Sequence, residues 1–290
     1  MRRRSDLLAL LALAGCNEIY GLDRTQLRDG ANGPVDRDRD DVDDATDPCI
    51  AGAGDQLGDL DMDEVKNADD PCPFDFEISD TDNDGLADQC DPYRTAPGDR
   101  RRCLMTFQNP VINRELWIPR GDPAAWNLLG VGALAATTTG TLVAAERIEA
   151  PATTTFDVML SSGPPMMASE SAITLWLRTG TTAKATDVGC ELRGSTSSYR
   201  AVLRAATPVE SAPVNGTVAG GFRIQATISP GAQPGMANVR CTIRFGSQPT
   251  GPTVAAEVAL PAGNVGLAVD HSYGLFVGLA IFERDDAPAL

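Results

Sequence analysis

Phe222-Arg223-Ile224-Gln225-Ala226-Thr227-Ile228 alternates apolar and polar side chains at every step, and Val239-Arg240-Cys241-Thr242-Ile243-Arg244-Phe245 does so again. An extended chain points successive side chains to opposite faces, so a period of two marks a strand with one buried and one open face. Segments 173–178, 188–192, 199–205, 253–260 and 273–282 read the same way, with Gly, Pro, Ser and Thr between them. Short strands separated by turn residues predict an antiparallel β-sandwich over residues 103–285. That length is ample for one two-sheet core, and no long amphipathic helix pattern interrupts it.

Upstream of residue 103 the texture changes. Between residues 17 and 99 there are 25 acidic and 6 basic side chains, a net charge of −19 against −16 for the whole chain. The acidic excess therefore belongs to this segment, and the sandwich is close to neutral. Such a field argues against nucleic acid and anionic lipid as partners.

The acids are spaced, not merely abundant. In Asp80-Thr81-Asp82-Asn83-Asp84-Gly85-Leu86-Ala87-Asp88-Gln89-Cys90-Asp91, carboxylates fall at positions one, three, five, nine and twelve, with glycine at six. Calcium takes six to eight oxygen ligands, which a short loop supplies from alternate side chains and one backbone carbonyl. Asp80, Asp82, Asp84, Asp88 and Asp91 are the candidate side-chain ligands, and Leu86 would offer the carbonyl. Gly85 permits the left-handed backbone of the turn.

Two further copies share the offsets: Asp36, Asp38, Asp40, Asp44 and Asp47, then Asp59, Asp61, Asp63, Asn67 and Asp70. Each copy ends in Asp-Pro, and the copies start 23 and then 21 residues apart. A recurring period above twenty residues signals a repeat array. Asp41 and Glu64 replace the glycine, and Glu tolerates a left-handed backbone poorly. The third site is expected to bind most tightly and the second most weakly. The competing reading is an acidic, solvated linker.

These residues resemble the thrombospondin type 3 repeat, whose Asp-x-Asp-x-Asp-Gly-x-x-Asp-x-Cys-Asp core is matched in full by the third copy. The other two copies lack the glycine and the cysteine before the final Asp. The resemblance covers residues 36–100 and implies a chain wrapped around calcium ions with little secondary structure, of a kind associated with cell adhesion. Val265–Asp270 followed by Tyr273–Phe282 resembles the closing strands of a concanavalin A-like (laminin G-like) jelly roll, joined there by a hairpin, and Thr155-Phe156-Asp157-Val158 resembles an inner strand of that fold. This second resemblance implies a glycan or a surface protein as ligand, and it carries over no binding residue.

At the N-terminus, Met1-Arg2-Arg3-Arg4 precedes a short apolar run, Leu7 to Ala14, which is too short to span a bilayer as a helix. Leu13-Ala14-Gly15-Cys16 resembles a bacterial lipobox. It implies that residues 1–15 are a signal peptide and that Cys16 is acylated and inserted in the lipid bilayer, with 16–35 as a flexible tether. Multiple acyl chains give stable anchoring where one does not. Asn17 rather than Asp after the cysteine favours the outer membrane of a Gram-negative bacterium, on its periplasmic or surface face.

Six cysteines remain after Cys16: Cys49, Cys72, Cys90, Cys103, Cys190 and Cys241. An even number in an exported chain predicts disulfides, and the Cys-x2-Cys spacings of zinc sites are absent. Spacing alone does not decide the pairing. The type 3 resemblance favours Cys72–Cys90, which leaves Cys49 to Cys103; the competing set is Cys49–Cys72 with Cys90–Cys103. Cys190 and Cys241 each fall on the apolar face of a predicted strand, where a bond or two buried thiols are the alternatives, and export favours the bond.

Little speaks for catalysis. His271 is the single histidine, expected in an exposed hairpin between the last two strands. The Glu-x-Asp-x-x-Glu cluster of jelly-roll glycosidases is absent, and Glu210 and Glu257 stand isolated, with Glu257 expected to face solvent. Trp117, Trp126 and Trp176 could stack on sugars, but core packing is the expected use, as in Leu175-Trp176-Leu177. The reading is a mostly β, non-enzymatic, calcium-binding lipoprotein in which stiffened repeats present a lectin-like sandwich. The alternatives are a structural spacer or a polysaccharide hydrolase on a calcium-binding spacer.

Overall fold

Phe222, Ile224, Ala226 and Ile228 all bury into one core, opposite Val239, Cys241 and Ile243 of the next strand. The computed structural model describes Asp36, Cys49 and residues 58–76, 79–107, 116–120, 122–128, 134–136, 139–144, 153–160, 170–180, 184–216, 218, 220–245, 251–261 and 263–284. The segments expected to be a signal peptide and a tether, with Cys16, and Asp38, Asp40, Asp44 and Asp47 of the first acidic copy lie outside the described residues. All of the described residues belong to one unit, Asp36–Leu290.

Sixteen strands are present among them: β1 (Asp99–Thr106), β2 (Trp117–Arg120), β3 (Trp126–Leu128), β4 (Leu134–Ala136), β5 (Gly140–Ala144), β6 (Thr154–Leu160), β7 (Ser171–Thr179), β8 (Val188–Gly194), β9 (Ser198–Arg204), β10 (Val209–Glu210), β11 (Val214–Asn215), β12 (Phe222–Pro230), β13 (Met236–Phe245), β14 (Thr253–Ala259), β15 (Asn264–Asp270) and β16 (Gly274–Arg284). They form two antiparallel sheets. Sheet A runs β14-β13-β12-β6-β16-β4-β3, with β1 also on β16; sheet B runs β10-β9-β8-β7-β15-β5-β2, with β11 on β9. This is the antiparallel sandwich that the alternation predicted, in the jelly-roll form that the resemblance of the closing strands implied. No helix among the described residues is long and apolar enough to cross a membrane.

The inner faces of the two sheets meet in one core that includes Phe156, Val158, Leu175, Leu177, Leu267 and Phe276. Cys190 of β8 and Cys241 of β13 are fully buried there and form a disulfide, tying sheet B to sheet A. Cys72–Cys90 and Cys49–Cys103 are also bonded, so the competing pairing is not realised. Trp117 and Trp126 pack in the core as expected. Trp176 does not: Leu175 and Leu177 face inward, so the pleat turns Trp176 to the outer face of sheet B, where it is half-buried.

One connection differs from expectation. β15 lies in sheet B and β16 in sheet A, so residues 271–273 cross between the sheets and do not close a hairpin. His271 sits in this arch with φ of 47°, exposed and 2.9 Å from the Asp270 carboxylate.

Residues 58–98 contain neither helix nor strand among those described. They lie against the outer face of sheet A, where Cys72, Phe74, Leu86, Ala87 and Cys90 share a second apolar cluster with Leu104 of β1 and Ala280 and Phe282 of β16. Phe74 lies over Gly278, where an added Cβ would come within 3.1 Å of its ring. This cover explains a pattern in the strands. β6 and most of β16 are buried on both faces, whereas β13 and β14, beyond the cover, alternate buried and open.

Candidate metal centre

The second and third repeats fold alike. At position four Met62 and Asn83 have φ of 66° and 63°, and at position six Glu64 and Gly85 have 76° and 98°. The left-handed turn that glycine permits is therefore adopted by Glu64 too. The reason lies in the first carboxylate of each loop. Asp59 accepts the amides of Met62 (2.6 Å) and Glu64 (3.0 Å), and Asp80 accepts those of Asn83 (2.7 Å) and Gly85 (3.0 Å). Asp63 and Asp84 accept from Val65 and Leu86 in the same way. The loop closes through Asp70 N on Lys66 O and Asp91 N on Ala87 O.

Position nine, an expected ligand position, also holds the loop together. Asn67 Oδ1 accepts the Leu60 amide at 3.1 Å, and Asp88 Oδ1 accepts the Thr81 amide at 2.8 Å. Each of these residues returns its own amide to the carbonyl of Gly58 or Ser79. The remaining oxygen of Asp88 accepts hydroxyls from Ser79 and Thr81, and the Thr81 side-chain hydrogen bond leads the causes that lower its pKa. Position nine is thus a clasp holding the loop's ends, which explains why Asn serves as well as Asp. Asp88 joins none of the acidic clusters found among the described residues.

The other acids do converge. Ligand oxygens of Asp59, Asp61 and Asp63 lie within 4.8 Å of one another, as do those of Asp80, Asp82 and Asp84, and those of Asp84, Asp91 and Asp99. Asp70, Asp91 and Asp99 are only 2–3% exposed. One oxygen of each of Asp61, Asp70, Asp91 and Asp99, and both of Asp82, are buried with no hydrogen-bond donor. Burial, followed by the charges of Asp70 and Asp63, pushes Asp61 up to about 7. Burial and then the neighbouring Asp91 push Asp99 up to about 7, and burial raises Asp70 and Asp91 as well. Leu86, the expected carbonyl donor, anchors the third loop by burying its side chain in the second apolar cluster. Asp36 lies apart from the acidic clusters found among the described residues.

Buried carboxylate oxygens without donors are costly unless a proton or a cation meets them. The donor set is entirely hard oxygen, which suits calcium or magnesium and not zinc or copper. The residues present therefore fit a calcium ion, with Asp80, Asp82, Asp84, Asp91 and Asp99 the carboxylates that would hold it around the third loop and Asp59, Asp61, Asp63 and Asp70 around the second.

Asp99 escaped the spacing argument because it belongs to the sandwich, as the first residue of β1. In the sequence it is one acid eight residues beyond Asp91, outside the repeat offsets. Arginines on sheet A carry the other unforeseen contacts. Arg101 donates to the carbonyls of Asn67, Ala68 and Asp70, gathering the end of the second loop. Arg223 pairs with buried Asp157 and with Asp75, and stands 5.6 Å from the Phe74 ring. Burial opposes its charge, but Asp157 and Asp75 outweigh that and raise its pKa. Arg244 donates to Gln89 O at 2.5 Å, and Arg284 lies 4.7 Å over the Tyr93 ring.

No family model matches the chain, and no curated protein matches it. Solved structures align with it at low identity and low structural similarity. A Bacillus licheniformis β-glucanase is 8% identical, over 58% of this chain and 92% of that one, with a TM-score of 0.39. A legume lectin-like domain from Entamoeba histolytica is 8% identical over 63% and 97%, with a TM-score of 0.42. The VIP36 exoplasmic/lumenal domain, in its Ca2+/Man-bound form, is 9% identical over 60% and 86%, also at 0.42.

Proposed function

We propose that the chain is a calcium-binding, lipid-anchored surface or periplasmic protein in which type 3-like repeats (36–100), ordered by calcium, present a non-catalytic sandwich (103–285) to a glycan or protein ligand. The observation that carries the calcium reading is the convergence of donorless, buried carboxylate oxygens in two loops of the same conformation. Without a cation these groups repel one another and oppose the packing of the loops on sheet A. With calcium their charge is neutralised and the loops gain stability by mass action. Because Asp84 accepts the amides of Gly98 and Asp99, ordering of the third loop is passed directly to the head of β1.

Residues 1–15 would be removed as a signal peptide and 16–35 would tether the protein through acylated Cys16. The thrombospondin type 3 assignment rests on the third copy's full core motif.

Calcium uptake by the intact protein tests the reading against the variant carrying Asp80→Ala, Asp82→Ala and Asp84→Ala together. Loss of most of the calcium-dependent stabilisation in the variant is expected, and unchanged uptake would overturn the assignment of the third loop. Metabolic labelling with a radioactive fatty acid, compared with Cys16→Ser, tests the anchor.

A further inference from the structure

On the outer face of sheet B, remote in sequence from the acidic loops, Trp176 stands between two glycines: Gly266 pairs with it from β15 and Gly189 from β8. A Cβ added at Gly189 would come within 2.7 Å of the indole Cε3, so the ring lies over that glycine along the sheet surface. Next along the same face, Thr174 pairs with Glu191 and Ala172 with Arg193, while Arg204 pairs with Gly189. Small residues at Ala172 and Ala268 leave a depression beside the ring of ≈ 350 Å³. Glu191 is 4% exposed, receives the Thr174 hydroxyl at 3.1 Å, and lies 2.6 Å from Arg193 and 3.8 Å from Arg204.

We propose that this depression binds a neutral oligosaccharide, with a pyranose ring stacked on Trp176 and its hydroxyls shared between Glu191, Arg193 and Arg204. The inference rests on the reading of the sandwich as the ligand-presenting domain. The half-buried indole, with the Arg120 guanidinium 5.9 Å from its ring centroid, offers its remaining apolar surface at low entropy cost, and a few convergent polar groups beside it give orientation. The volume lies at the lower end of the range for small-ligand sites, roughly 300–1,000 Å³.

The charges select a neutral ligand. Arg193 pairs with Glu191 and, at 3.4 Å, with Glu210; Arg200 pairs with Glu210 at 3.0 Å and with Glu170. With Arg204 on Glu191, three arginines face three glutamates, and an anion would have to displace an existing partner. A polyol needs no such displacement, because paired guanidinium and carboxylate groups supply donors and acceptors side by side. Glu210, isolated in the sequence, is therefore part of this network.

The test uses the calcium-saturated protein with three neutral probes (cellohexaose, laminarihexaose and mannohexaose) and one acidic probe, oligogalacturonate, each followed by calorimetry and tryptophan emission. At least one neutral probe is expected to bind and to shift the emission. Trp176→Ala should weaken that binding roughly tenfold or more. Arg204→Ala, a change at a half-buried position on the same face, should weaken it as well if the first variant folds poorly. Absence of binding by all three neutral probes at 10 mM overturns the proposal, as does binding of the acidic probe alone or binding undiminished in both variants. Calcium-induced stabilisation is measured on the same samples. Its loss would sink the repeat assignment and leave this site standing, and its persistence without saccharide binding would do the reverse.

Discussion

The Asp84 carboxylate of the third acidic loop accepts the backbone amide of Asp99, the first residue of β1, at 2.8 Å. The same Asp84 belongs to two carboxylate clusters, one within its own loop and one completed by Asp91 and Asp99. A residue of β1 thereby stands in a carboxylate cluster of the loop. Calcium at this position would act on the junction of the two segments as well as on the loop itself.

Asp99→Asn is therefore expected to have opposite effects with and without calcium. In chelator it removes a buried like charge, and the melting temperature should stay level or rise. In saturating calcium the stabilisation should shrink, because an ion at 100 times its Kd contributes about 2.7 kcal/mol and a weaker site contributes less. Thermal unfolding in chelator and in millimolar calcium checks both signs.

Asp88→Asn should leave calcium affinity within about threefold of wild type, since Asn67 already serves as the clasp at the matching position of the second loop. Asp82→Asn, which removes charge from a carboxylate with both oxygens donorless, should weaken the site roughly tenfold or more. Calorimetric titration of the two variants separates clasp from ligand.

The pH dependence follows from Asp61 and Asp99, both pushed up by burial and neighbouring carboxylates to about 7 from an ordinary value of 3.8. A carboxyl raised on folding binds more protons in the folded than in the unfolded state through that window. Calcium-free stability should accordingly fall as pH rises from about 4 to about 7. Calcium, which needs the ionised groups, should reverse the trend over the same range. Urea unfolding at pH 5 and pH 8, in chelator and in calcium, measures it.

Arg223→Ala removes the common partner of Asp157, which is fully buried, and Asp75. Leaving buried charge unpaired costs about 3–5 kcal/mol. The loss should appear as lower stability and as faster proteolysis within residues 58–98, where the cover is held to sheet A.

Replacing Cys190 and Cys241 together by Ala cuts the link between the sheets. Stability should drop by about 2–4 kcal/mol, while calcium-induced stabilisation persists because the loops lie on the other side of sheet A. Chemical denaturation of the double variant with and without calcium provides the readout.

The strands were legible where one face meets solvent. β13 and β14 alternate because the cover reaches them only at points such as Arg244, which donates to Gln89 O, and their period of two is plain in Val239–Phe245. The same alternation places Trp176 opposite Leu175 and Leu177, although the apolar triplet read as core. Carboxylate spacing marked the loops but not the division of labour within them. In the third loop Asp88 at position nine and Asp91 at position twelve are both acids in sequence, and only the fold shows that both oxygens of the first have donors while one oxygen of the second has none. Asp99, Arg101 and Arg223 were not legible because their partners lie 15 to 148 residues away. Nor does the short link after Asp270 declare that it crosses between sheets and does not form a hairpin.

The most direct test of the calcium account is a calorimetric titration of the lipid-free protein with calcium, followed in parallel by small-angle scattering. The account predicts saturable binding of more than one ion, accompanied by a smaller radius of gyration. No heat and no compaction at millimolar calcium would contradict it and leave residues 36–98 as an acidic spacer.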